Sequence, residues 1–182
     1  MLKGSILKRF YIVVILAGPL YWLILTDEGR RFTDTTILKI QGGETMDIHL
    51  EALHSTITEK GLQEQLPDTP FNCGKQPGPL GDRICQVQLA AFNGLPSRFA
   101  VAYFHEDHLR GFKVGYQRPY HEQLLHYLHT TLGKRDVETV AGGAGIYRWQ
   151  VGDGELVVLD EQSLEGNEPS LMWKRQASTL VP

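Results

Sequence analysis

The chain has 182 residues, 42% hydrophobic and 21% charged, with a formal net charge of −3. That is enough apolar material for one domain with a core, too much for a disordered chain, and too acidic a balance for a nucleic-acid-binding surface. Three of the 18 basic residues precede residue 10, while all 21 acidic ones lie beyond residue 26, so the body of the protein is more acidic than the whole.

Phe10 to Leu25 carries no charge and lies between Lys8-Arg9 and Asp27-Glu28. As a helix this run spans about 24 Å, short of the ~30 Å hydrocarbon core, so its flanks must help. Lys8 and Arg9 can snorkel, Tyr11, Tyr21 and Trp22 suit the two interfaces, and Pro19 predicts a kink. The pattern predicts a transmembrane signal anchor over 10–26, with Phe10, Tyr11, Pro19, Tyr21, Trp22 and Leu25 as its anchoring residues. Residues 1–9 then form a cytoplasmic basic tail, 27–44 a connector and 45–182 an exported domain. A cleaved secretory signal is the competing reading, but Ile15 and Pro19 suit a cut after Ala17 poorly. No Asn-X-Ser/Thr sequon occurs. The expected setting is therefore a single-pass protein of a bacterial inner membrane, N terminus cytoplasmic and C-terminal domain periplasmic, with the bilayer as a partner.

Within the connector, Ile37 to Ile40 reads as a short strand or packed linker, closed by Gly42-Gly43. Thr45 then caps a predicted helix carrying Met46, Leu50, Leu53 and Ile57, with Gly61 as its stop. Residues 67–81 hold four prolines and three glycines and predict a loop. Cys73 and Cys85, the only cysteines, bracket that stretch and predict a disulfide worth on the order of 3 kcal/mol. Strands follow at 83–91, 99–104 and 109–116, an antiparallel meander with Asn93-Gly94 as one turn. A second helix starts near Pro119, stripes Tyr120, Leu124, Leu128 and Leu132 on one face, and ends at Gly133. Three more strands, 146–151, 155–159 and 171–175, complete the chain, the first two joined at Gly152-Asp153-Gly154. The predicted fold is α+β: after the transmembrane helix, two helices packed on an antiparallel sheet in the order α-β-β-β-α-β-β-β, consistent with an internal duplication. Trp149 and Trp173 fall in phase with the apolar strand positions and read as core.

Seven histidines are the residues to weigh as metal ligands. His105 and His108 stand in H-E-D-H at a hairpin tip, and His126 and His129 are helical i, i+3 neighbours that would share a face. His121 lies about 140° around the helix from His126. Gly142 to Gly145 has the composition of a phosphate loop, but it precedes a strand and lacks the Lys-Ser/Thr of one. Ser97, Ser163 and Ser170 have no nucleophile setting, and the acid pairs Glu106-Asp107 and Asp160-Glu161 read as solvated turns. With no reactive constellation and no cofactor motif, the favoured function is a non-enzymatic, membrane-anchored periplasmic domain that binds an envelope protein or assembly. The alternatives are a metal- or small-ligand-binding domain using His105/His108 or His126/His129, and a periplasmic inhibitor or immunity-type protein presenting the Cys73–Cys85 loop.

Overall fold

The computed structural model describes residues 3–139 and 145–176; the glycines at 142 and 143 lie outside them. Helix α1 (Lys3–Leu25) has Pro19 inside it, and helix α2 (Asp27–Ile40) follows after a single residue. That residue, Thr26, serves both. Its hydroxyl donates to the Trp22 carbonyl at 2.8 Å, closing α1, and accepts from the Gly29 amide at 3.0 Å, capping α2. The two helices meet so closely that a Cβ on Gly29 would stand 2.1 Å from the Trp22 oxygen. Only glycine fits this turn.

The expected transmembrane anchor is not met. No helix among the described residues is long and apolar enough to cross a membrane. The uncharged part of α1 covers only about 24 Å of a ~30 Å core, Pro19 lies within it, and Thr26 turns the chain into α2 instead of prolonging it. The single-pass topology, the inner-membrane and periplasmic location, and the bilayer and envelope-protein partners rested on that anchor and are corrected with it. Of the anchoring residues, Tyr11, Pro19, Tyr21, Trp22 and Leu25 are exposed, and the Trp22 ring lies 6.3 Å from that of Phe32. The 27–44 stretch expected as a connector is largely α2, packed on strands β3 (Gly81–Phe92) and β4 (Leu95–His105). Ile37 to Ile40 form its last turn.

The remaining strands are β1 (Glu44–Met46), β2 (Asn72–Gly78), β5 (His108–Tyr116), β6 (Asp136–Thr139), β7 (Gly145–Val151), β8 (Gly154–Leu159) and β9 (Ser170–Arg175). They form one sheet in the order β1-β3-β4-β5-β9-β8-β7-β6, with β2 also on β3. Only β1 runs parallel to its partner. The register places Cys73, Cys85, Ala102, Phe112, Trp173, Leu156 and Trp149 in one row across seven strands. A second row, Val87, Ala100, Val114, Leu171 and Val158, lies on the same face, because strand side chains alternate. The opposite face carries Asn72, Gln86, Val101, Lys113, Met172, Val157, Arg148 and Asp136 in register. One face is core and the other is polar.

Two coverings bury the core face. Helix α4 (His121–Leu132) contributes Leu124, Leu125 and Leu128. The other covering is a strap over 46–66, which supplies Met46, Leu50, Leu53, Ile57, Leu62 and Leu66. The helix expected through Met46 to Ile57 does not form: Thr45 lies in β1, Leu50–Ala52 is a single 3-10 turn, and helix α3 (Glu59–Gln65) starts only after Ile57 and runs through Gly61, the expected stop. Asn93, at φ +46 in the β3–β4 turn, holds the strap in place. It accepts from the Ile48 amide at 2.8 Å and donates to the Ile48 carbonyl at 2.9 Å. The α+β class stands, but the α-β-β-β-α-β-β-β order does not, since one sheet half is covered by a strap where a duplicated unit would place a helix. Trp149 and Trp173 are core, as their phase implies.

Candidate anion-binding cleft

Three arginines continue the apolar phase of their strands at the same end of the sheet. Arg83 follows the phase of Cys85 and Val87, Arg175 that of Leu171 and Trp173, and Arg110 precedes Phe112 by two. Strand β5 makes a bulge here: Phe104 pairs with Leu109 and Tyr103 with Gly111, leaving Arg110 as the extra residue. Bulges re-aim side chains in this way. The β4–β5 turn is formed by Glu106 and Asp107, both with positive φ, the pairing that a two-residue hairpin turn requires.

Two of these arginines are matched. Arg83 donates through Nε and Nη2 to both oxygens of Glu59, and this hydrogen-bonded pairing holds the Glu59 carboxyl below the usual range. Arg175 lies 3.8 Å from Asp153. Burial pushes the Asp153 carboxyl upward, but hydrogen bonds from the Ser55 hydroxyl and amide outweigh it and leave it low. The third is unmatched: Arg110 has a buried Nε with no acceptor among the described residues.

Arg110 and Arg175 line a cleft of about 690 Å³ together with Pro77, Leu80, Asp82 and His105. The β2–β3 hairpin forms one wall. A Cβ on Gly81 would stand 2.1 Å from the Phe104 carbonyl oxygen, so glycine is needed where this hairpin closes against the end of β4. His105 and Asp82 approach to 3.9 Å at the rim. The size falls in the range of small-molecule sites, and a guanidinium in its lining is suited to pair with a planar or tetrahedral oxyanion.

Among the described residues, neither histidine pair meets a third metal-capable group. His105 and His108 face each other across the hairpin end and are both exposed. His126 and His129 are exposed on α4, beside a cleft of about 520 Å³ shared with Glu122 and Arg135. Among the described residues, no histidine belongs to a cluster of three metal-capable groups; the cluster that does form is Glu59, Cys73 and Cys85. The Cys73–Cys85 disulfide is present. It ties β2 to β3 as directly opposed residues, so the stretch expected as a disulfide-tied inhibitory loop is a β-hairpin at the sheet edge, which corrects the inhibitor reading. Arg110, Arg175 and Glu59 escaped the sequence reading, although arginines in the apolar phase of three strands were a legible signal.

His121 is the histidine the fold buries, at 3% exposure. Its Nδ1 is 2.7 Å from the Tyr116 hydroxyl, the two rings stack, and its Nε2 has no partner among the described residues. Burial holds its pKa below the ordinary histidine value of about 6.5, with Arg135 adding to this and Glu122, Glu161 and Asp160 opposing it. Because the folded pKa is the lower one, the unfolded chain takes the proton first as pH falls. This contribution to stability is complete above about 6.5 and is lost as pH drops below it, with a downward slope bounded by ~1.4 kcal/mol per pH unit. Urea unfolding from pH 7.5 to 5 is expected to show that slope in the wild type and a flatter profile in His121→Gln. Equal profiles refute the assignment.

No protein-family model matches the chain, and no curated protein matches it. Among solved structures the chain is similar to a DUF4309 family protein (YjgB) from Bacillus subtilis subsp. subtilis str. 168, at 16% sequence identity, covering 79% of this chain and 99% of that one, with a TM-score of 0.39. At that TM-score the likeness assigns neither family nor function.

Proposed function

We propose that the domain is a binding module for a small molecule bearing a carboxylate or phosphate group, received in the cleft at the Arg110 end of the sheet. The observation that carries this reading is the buried Arg110 Nε without an acceptor beside an open cleft. A buried guanidinium donor without a partner is costly, and an oxyanion replaces the missing hydrogen bond with a charge-assisted one. Arg175 adds positive charge to the same cavity, and Leu80 and the prolines of the β2–β3 hairpin give it an apolar wall against which a carbon skeleton can lie.

The test is calorimetric titration of the full chain with succinate and with inorganic phosphate, against chloride at matched ionic strength. Saturable, one-site binding of at least one oxyanion is expected. Arg110→Ala is expected to weaken it tenfold or more, by about 1.5–3 kcal/mol for a hydrogen bond to a charged group, while Arg118→Ala, on the exposed turn before α4, leaves it unchanged. Binding no stronger than that of chloride, or equal binding by Arg110→Ala, sinks the proposal.

A further inference from the structure

We infer that the reduced protein holds a divalent, thiophilic metal ion of the zinc class between Cys73, Cys85 and Glu59, and that the disulfide is the closed form of this site. The two sulfurs and a Glu59 carboxylate oxygen lie within 4.8 Å of one another. They are placed by three separately fixed elements. Cys73 comes from β2, Cys85 stands directly opposite on β3, and Glu59 is in the first turn of α3, whose Thr58 cap accepts from the Gly61 amide. Cys85 is anchored in the core row beside Ala102. The backbone positions of the three ligands are therefore brought together by strand pairing and the α3 cap.

The surroundings fit a metal as well as the ligands do. Arg83 holds both Glu59 oxygens, and each carboxylate oxygen keeps a second lone pair. Arg83 thus stays as the outer partner that orients the ligating carboxylate, the arrangement that tunes most metal sites. Its charge also favours thiolate over thiol at the neighbouring cysteines. One turn further along α3, the Gln63 amide nitrogen is 3.8 Å from the Cys73 sulfur, so the Gln63 carbonyl oxygen or a water can take the fourth position. Two sulfurs and one carboxylate oxygen with an open place suit tetrahedral zinc; calcium and magnesium call for oxygen alone.

Opening the site needs two electrons, supplied by an external dithiol. A dithiol thiolate attacks the sulfur of Cys73, which is half-buried whereas Cys85 is enclosed, and Cys85 leaves as a thiolate. The second thiol of the reductant then closes on the first, releasing Cys73 and leaving the dithiol as a cyclic disulfide. Metal binding displaces whatever protons the two thiols retain. Oxidation reverses the balance and expels the ion, so occupancy follows redox state.

The full chain, reduced with a phosphine that does not bind zinc and kept anaerobic, is titrated with zinc and separately with cobalt. One equivalent of zinc and a thiolate-to-cobalt charge-transfer band are expected in the reduced protein, and neither in the oxidised one. Cys85→Ser is expected to abolish uptake, and Glu59→Gln to weaken it at least about tenfold. Circular dichroism follows the fold: a reduced chain that has lost its structure and does not regain it with zinc overturns the inference. So does the absence of stoichiometric uptake, or equal affinity in Glu59→Gln. The succinate and phosphate titrations of Arg110→Ala use none of these ligands, so the two proposals fail separately.

Discussion

Trp173→Ala is expected to lower the unfolding free energy by about 3–5 kcal/mol, a large share of the 5–15 kcal/mol typical of a domain. Trp173 is fully buried and stands between Phe112 and Leu156 in the longest core row. Its indole nitrogen donates to the Val151 carbonyl at 3.0 Å, so truncation removes this buried hydrogen bond as well as opening a cavity. Collapse into the cavity is limited, because the ring lies against the backbone of Gly154, where a Cβ would come within 2.6 Å of it. Trp173→Phe fills part of the volume and isolates the hydrogen bond, and is expected to cost less than the alanine variant. Urea unfolding followed by circular dichroism measures both. A loss below about 1 kcal/mol in Trp173→Ala would contradict the central place given to this residue.

The parts of the fold legible in the sequence are those where one physical signal acts alone. Alternation through Cys85, Val87 and Leu89 gave β3, and Asn93-Gly94 gave its turn to β4; the stripe of Tyr120, Leu124 and Leu128 with Gly133 beyond it gave α4. Met46, Leu50, Leu53 and Ile57 show where a signal is ambiguous. All four are buried, so their spacing identified core residues correctly, but a short strand, a 3-10 turn and a loop bring them to the sheet as well as a helix would. What decides between those paths is non-local: the Asn93 side chain binds the Ile48 backbone across 45 residues of sequence. Prolines and glycines made 67–81 look like loop, yet an edge strand tolerates both where its outer side faces solvent, and β2 is such a strand. The cleft was hidden for another reason. Arg110 and Arg175 come to one cleft only once β5 and β9 lie side by side with a bulge in β5, so the phase of each arginine in its own strand does not reveal their meeting.

Removing the disulfide is the second large perturbation. Cys73→Ala/Cys85→Ala is expected to cost on the order of 3 kcal/mol, the chain-entropy value for a loop of this size, given a sequence separation of 12. The effect is assigned to the unfolded chain because β2 buries little in the folded one: every residue of the strand except Cys73 is exposed, and it pairs with β3 alone. Two signatures separate this from simple fraying of an edge. An unfolded-state origin lowers the urea midpoint and raises the slope of the transition, since the uncrosslinked chain exposes more surface when it unfolds. Fraying speeds hydrogen exchange over residues 72–78 while leaving the midpoint nearly in place. Both are expected, with the midpoint shift dominant, and a total loss under about 1 kcal/mol would refute the entropic account. The same variant bears on the cleft, because Pro77 and Leu80 ride on the hairpin that the disulfide holds. Oxyanion affinity should therefore weaken although Arg110 is untouched, linking the redox state of an edge strand to the shape of the proposed binding site.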